Sequence, residues 1–108
     1  MVGFKQERDR LIVSLCGDVD HCAAQQLRGQ IESQIEKTRP KQLRLDFSKV
    51  DFMDSSGIGM IIGRYKTMMK YGGQMTAAGM TESVFRLFCM AGLHRIIAVE
   101  DIRKETEA

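Results

Sequence analysis

The first half of the chain alternates between hydrophobic spacings typical of strands and of helices. Residues 2–6 and 11–16 are predicted as the two strands of a hairpin, because the charged run between them suits a turn. Further on, apolar residues recur at steps of three and four, which predicts an amphipathic helix of about four turns. Asp20 suits the N-cap of this helix, and Pro40 stops it, since proline cannot continue a helix. The recurring apolar residues are Ala24, Leu27, Ile31 and Ile35.

The second half repeats this alternation of strand and helix. Residues 43–47 alternate apolar and charged side chains, which is the period of a strand with one buried face. A second amphipathic helix is predicted beyond Asp54-Ser55-Ser56-Gly57 and ends at Gly72-Gly73, and a short strand follows over residues 74–78. A third helix is predicted between a Thr81 cap and a stop at Gly92. The apolar positions are Ile58, Ile61, Ile62, Tyr65, Met68 and Met69 in the second helix, Val84, Phe85, Leu87, Phe88 and Ala91 in the third, and Ile96-Ile97-Ala98-Val99 in a last strand.

The predicted order is β-β-α-β-α-β-α-β, which indicates an α/β fold in a single domain over residues 1–108. Strands separated by helices are expected to be parallel with right-handed crossovers, and the opening hairpin adds an antiparallel edge. The result is a mixed β-sheet flanked by helices, on one face or on both. The charged tail from Glu100 onward is predicted as a marginal C-terminal helix or a disordered segment.

Composition narrows the classes of function. A formal net charge of only +2 argues against a strongly basic nucleic-acid binder, so we expect no direct DNA binding. The apolar runs are only a few residues long, too short for a transmembrane helix, and charged residues from Lys5 to Arg10 interrupt any signal peptide. Three cysteines, an odd number, fit a reducing compartment. These features predict a cytoplasmic protein that does not bind membranes.

Few side chains could carry chemistry. Asp20, His21 and Cys22 offer an acid, a base and a nucleophile, but neighbouring side chains at the start of a helix point in different directions. Adding Cys89 and His94 gives no ligand-pair spacing of the zinc type, so no metal site is expected. The glycine-rich segment matches no nucleotide-binding fingerprint. The sequence therefore predicts no catalytic residue and no cofactor; the rival interpretation is an enzyme with Cys22 or Cys89 as nucleophile.

The segment from Phe52 to Gly59 is unusual, because polar capping residues precede a helix that contains three glycines. Each glycine inside a helix costs roughly 1 kcal/mol relative to alanine. One interpretation is an N-cap, for which the Ser56 hydroxyl is suited, together with close packing of the helix on the sheet. The other is a helix end kept slim so that another protein can approach its backbone, with Ser55 exposed at the tip.

This motif resembles a known family. Asp54-Ser55-Ser56-Gly57-Ile58-Gly59, followed by Ile62-Gly63-Arg64-Tyr65-Lys66, is similar to the STAS domains of bacterial anti-sigma factor antagonists, and most to the stage II sporulation type, whose members antagonise the anti-sigma F factor. The resemblance spans nearly the whole chain except its first residues and its tail. The other matching segments are Gly17-Asp18-Val19-Asp20-His21, Phe52-Met53, Gly72-Gly73-Gln74-Met75, Arg86-Leu87-Phe88, Gly92-Leu93 and Ile96-Ile97.

The resemblance implies a regulatory binding module and not an enzyme. In this family the anti-sigma factor is itself a serine kinase, and its target here would be Ser55. Unphosphorylated antagonist captures the anti-sigma factor and frees the sigma factor, phosphorylated antagonist cannot hold it, and a serine phosphatase resets the cycle. The predicted partner-binding residues are Asp20, His21, Asp54, Ser55, Ser56, Gly57, Ile58 and Gly59.

Two cysteines depart from the sporulation type. Cys22 stands where a second histidine or a similar polar residue is common, and Cys89 replaces an acidic residue. Neither is the acceptor serine. They leave open whether the partner is the sporulation kinase or a related kinase from stress signalling, and a STAS domain that senses a nucleotide or another small ligand is a further alternative.

Overall fold

The computed structural model describes residues 2–103, which form one five-stranded sheet and three α-helices. This architecture and the order of its elements confirm the predicted α/β class. The strands are β1 (Val2–Glu7), β2 (Arg10–Cys16), β3 (Gln42–Lys49), β4 (Gln74–Ala78) and β5 (Ala98–Glu100). The helices are α1 (His21–Thr38), α2 (Ser55–Lys70) and α3 (Glu82–Met90), and a single 3₁₀ turn, Leu93–Arg95, precedes β5.

The strands lie in the sheet in the order in which they occur along the chain. β1 pairs with β2 antiparallel, and every later neighbour is parallel. Right-handed crossovers that always step in the same direction place all helices on one face. The burial of side chains on β3 supports this one-sided arrangement. Leu43, Leu45 and Phe47 on the covered face are buried. Arg44 and Asp46, which alternate with them on the other face, are only half-buried. The helices therefore cover one face, the point that hydrophobic periodicity left open.

The helices contribute to one hydrophobic core largely through the positions predicted for them. All four predicted residues of α1 are buried, and its cap is Asp20, as expected. In α2 the buried stripe is displaced from the predicted one: Met60 and Arg64 are buried, whereas Met69 is exposed. The prediction was wrong at these positions because it left Met60 and Arg64 out of the inner face and included Met69, which lies on the outer face.

The last strand differs from its prediction. The predicted strand over 96–99 begins two residues later, at Ala98, because Gly92 adopts a left-handed φ of 78° and the chain turns through Leu93–Arg95. The backbone amides of Ile96 and Ile97 both donate to the Leu93 carbonyl, which leaves Ile97 buried and Ile96 exposed. Glu100 belongs to β5 and not to a tail. The predicted C-terminal helix lies in part outside the described residues, and residues 101–103 are not helical.

A buried arginine joins α1 to α2. Arg64 is only 7% exposed, and its Nε lies 2.8 Å from Glu32 Oε1, in the geometry of a close ion pair and not of a straight hydrogen bond. Burial lowers the pKa of the Arg64 guanidinium, and the Glu32 carboxylate acts in the opposite direction. Thr67 Oγ1 donates to the same carboxylate at 2.9 Å. Glu32 is thus the main compensation for a charge removed from water.

Removing that compensation should cost stability. We expect Glu32→Gln to lower the free energy of unfolding by about 2 kcal/mol, because it leaves a buried cation unpaired; the partial exposure of Glu32 holds the loss below that of a fully buried pair. Urea unfolding of Glu32→Gln, Arg64→Met and the double variant measures this. The double variant should lose less than the sum of the single changes, and strict additivity would contradict the pairing.

Candidate functional site

Two loops lie side by side at the carboxyl end of the parallel strands. One loop leads from β2 into α1 and the other from β3 into α2. They are joined by a parallel bridge between Val19 and Met53, in which the Val19 amide donates to the Phe52 carbonyl at 2.9 Å and the Asp54 amide donates to the Val19 carbonyl at 3.3 Å. The bridge makes α1 and α2 begin next to each other.

Each of these helices begins with an aspartate cap. Asp20 Oδ1 accepts from the Ala23 amide at 2.9 Å, and Asp54 Oδ1 accepts from the Ser56 amide at 2.8 Å. Both aspartates have the extended backbone that capping residues adopt. The capping role predicted for Asp20 is confirmed. The one considered for the Ser56 hydroxyl is wrong, since Asp54 caps α2 one position before Ser55.

Ser56 instead contacts α1. Its Oγ lies 3.3 Å from Nδ1 of His21, a contact between residues 35 positions apart in sequence. Ser56 is half-buried and His21 is exposed, so the contact lies at the surface where the two helices begin. The structure therefore brings together His21 and Ser56 by direct contact, as members of the predicted site.

Ser55 is the first residue of α2 and is exposed. The positive end of the helix dipole lies at this point, which favours an anionic group there. Phe52, two residues before the cap, is a large apolar residue with an exposed fraction of 50%. Ser55 is therefore open to solvent at the start of α2.

The glycines after Ser55 do not serve one common purpose. A Cβ added to Gly57 would lie 2.3 Å from Cγ and 2.6 Å from Sδ of Met53, so this glycine is required by packing inside the protein. Gly59 is exposed, and a Cβ there would meet nothing within 4 Å. Gly57 and the neighbouring Ile58 are buried. These two predicted partner-binding residues therefore offer little surface to a partner, whereas the other six are exposed or half-buried.

A shallow groove of about 240 Å³ runs between α1 and α2 from this site. Its α1 side includes His21, Gln25 and Arg28, and its α2 side includes Ser56 and Gly59. Gln25 and Arg28 were not among the predicted site residues. Their steps of four and seven residues from His21 place all three on one face of a helix, a spacing that could have identified them.

The residues considered for enzyme or metal chemistry are dispersed over the fold. Cys22 is exposed on α1, Cys89 is half-buried on α3, and His94 is exposed in the 3₁₀ turn. Within residues 2–103 no group of three or more His, Cys, Asp or Glu side chains could hold a metal ion. No helix in this part of the chain has both the length and the apolar character needed to cross a membrane.

Known proteins resemble this chain over almost its whole length. The STAS domain family model matches residues 4–107. The anti-sigma F factor antagonist of Paenibacillus polymyxa is 35% identical over 100 residues, which cover 93% of this chain and 86% of that protein. The anti-sigma-B factor antagonist of Bacillus subtilis (strain 168) is 32% identical over 98 residues, which cover 91% of this chain and 88% of that protein.

Solved structures share the fold. The unphosphorylated form of the anti-sigma factor antagonist SpoIIAA superposes with a TM-score of 0.75 at 22% identity, covering 95% of this chain and 90% of that one. The phosphorylated form of the Bacillus cell fate determinant SpoIIAA gives 0.73 at 24% identity, covering 99% and 93%. Sheet order, helix positions and the family match agree, and the chain belongs to the STAS domain family.

Proposed function

We propose that this protein is an anti-sigma factor antagonist controlled by phosphorylation of Ser55. The unphosphorylated form binds an anti-sigma factor, which is a serine kinase, and thereby releases the sigma factor. Phosphorylation of Ser55 by that kinase ends binding, and a serine phosphatase restores the binding form. The protein acts in the cytoplasm as a regulatory partner and substrate and not as an enzyme.

One observation carries this proposal: Ser55 is an exposed hydroxyl at the first position of α2, within a surface built from two joined helix starts. Support comes also from two relatives above 30% identity that are named anti-sigma factor antagonists. The structural neighbour SpoIIAA has been solved in a phosphorylated form. An accessible serine in the family's motif is what a switch of this kind requires.

The chemistry of the switch is simple. The Ser55 oxygen attacks the γ-phosphorus of ATP, the bond to the bridging oxygen of ADP breaks, and the serine proton is released. The product carries about −1.5 to −2 charges and three acceptor oxygens. Amides at the start of α2 favour this anion by roughly 0.3–1 kcal/mol, so the modified chain stays folded. The new charge therefore acts at the docking surface and not on the fold.

The relatives carry two partner names, the anti-sigma F and the anti-sigma-B factors. The same experiment tests each candidate partner in turn. The purified chain is mixed with one anti-sigma factor and ATP, and complex formation and the intact mass of the chain are followed. A complex that forms before phosphate transfer and is lost after it identifies the partner. Titration with nucleotides in the absence of any kinase tests the ligand-sensing alternative, for which we expect no binding.

Substituting each of two neighbouring serines identifies which one accepts the phosphate. We expect Ser55→Ala to abolish the mass increase of about 80 Da that phosphate adds, because the reactive hydroxyl is gone. Ser56→Ala is the matched control and should still gain phosphate, because it leaves the exposed Ser55 in place. The hydroxyl that this variant removes belongs to a half-buried residue and contacts His21. Phosphate that remains on Ser55→Ala and is absent from Ser56→Ala would move the acceptor to Ser56.

A further inference from the structure

The described C-terminal segment folds back onto the loop between β4 and α3. The Arg103 amide donates to the Met80 carbonyl at 2.8 Å, and Arg103 forms a parallel bridge with Thr81. Its guanidinium Nε donates to the Gly79 carbonyl at 2.7 Å. Backbone and side chain together hold Arg103 in one place beside the carboxyl end of the sheet.

From that place the guanidinium also reaches the connection between β3 and α2. Its Nη2 donates to the Phe47 carbonyl at 2.9 Å and to the Val50 carbonyl at 2.5 Å, and Nη1 lies 3.3 Å from Asp51 Oδ1. Those two carbonyls belong to a turn closed by the Val50 amide donating to Phe47. All three nitrogens of the guanidinium thus have partners.

Those contacts bear on the serine because the connection is short. It continues from Asp51 through Phe52 and Met53 to Asp54, whose amide donates to Val19 and whose carboxylate caps α2. Arg103 therefore fixes the connection where it leaves β3, and the bridge to Val19 fixes it where α2 begins. Only a few residues separate these two anchor points.

We propose that Arg103 is a positioning residue for the Ser55 switch. Its guanidinium holds the β3–α2 connection in the conformation in which Asp54 caps α2 and presents Ser55 to a kinase. Lysine cannot replace it, because one ammonium group cannot serve carbonyls in two separate loops with the planar donor geometry of arginine. The proposal rests on the proposed function only for its consequence on phosphate transfer.

Hydrogen exchange tests the positioning directly and needs no partner. In Arg103→Gln and Arg103→Lys, we expect the amides of Asp54 and Ser56 to exchange about tenfold faster than in the wild type, because the connection opens locally. The amides of Val13 and Leu45 in the central strands should be unchanged. Arg86→Gln, which alters an exposed arginine on α3, is the matched control and should change none of them.

Phosphate transfer tests the consequence. With the anti-sigma factor that phosphorylates the wild type, we expect kcat for Arg103→Gln to fall about tenfold while KM changes less than about twofold, because docking is intact and the hydroxyl is misplaced. Unchanged exchange at Asp54, or equal acceleration in the central strands, overturns the positioning role. A wild type that no anti-sigma factor phosphorylates overturns the proposed function alone, since the exchange result stands independently.

Discussion

Replacing Ser55 by aspartate is expected to weaken binding to the anti-sigma factor at least about tenfold, a loss of about 1.4 kcal/mol of binding free energy. The new charge would stand directly after Asp54, in a surface that already contains Asp20 on the neighbouring helix start. Carrying that negative charge into an interface is costly unless the partner supplies a cation. Calorimetry or surface plasmon resonance against the identified anti-sigma factor measures the loss.

Ser55→Asn is the matched control, because it has nearly the same size and shape as aspartate but no charge. It should retain most of the affinity if charge drives release, and both variants should keep the circular dichroism spectrum of the wild type. Equal weakening by asparagine would show that shape and not charge controls release. A changed spectrum in the phosphorylated protein would contradict a local mechanism.

Gly57→Ala is expected to lower the free energy of unfolding by about 2 kcal/mol, in the range of overpacked cores. The added methyl group would overlap Cγ and Sδ of Met53 and lie 3.1 Å from Cγ1 of Val19. Met53 and Val19 are both buried and form the bridge between the two loops, so they have little room to move. Urea denaturation of the variant and the wild type measures the difference.

Gly59→Ala provides the contrast on the same helix. Its Cβ would point into open space, so the higher helix propensity of alanine should stabilise the protein by up to about 1 kcal/mol. The two variants separate the explanations for a glycine-rich helix start. Gly57 is expected to affect folding, and Gly59, which lines the groove, is expected to affect partner binding; an unchanged stability in Gly57→Ala would contradict the packing role.

Local patterns in the sequence predicted the local parts of this structure. Asp20 and Thr81 cap α1 and α3 as expected, because a cap depends on residues only a few positions away. The four buried residues of α1 followed from helical spacing alone. The motif around Ser55 was located for the same reason, since its capping residue and its glycines adjoin it in sequence.

Long-range contacts account for most of what could not be predicted. The charge of the buried Arg64 is compensated mainly by Glu32 on another helix, and no local pattern shows that pairing. The shortened last strand follows from a turn after Gly92 that periodicity does not register. Arg103 was predicted to lie in a marginal tail. Its partners are the backbone carbonyls of Phe47, Val50 and Gly79, which are distant in sequence and leave no local pattern around Arg103.

The direction of β2 has a practical consequence. This strand runs from Arg10, next to the hairpin turn, to Cys16, near the serine, a span of about 20 Å. A tether or fluorophore attached at Arg8 in that turn would sit at the remote pole of the molecule and leave the serine surface unobstructed. Thiol-directed immobilisation would do the opposite, since the exposed Cys16 and Cys22 lie at the end of β2 and near the start of α1, at the same end of the sheet as Ser55.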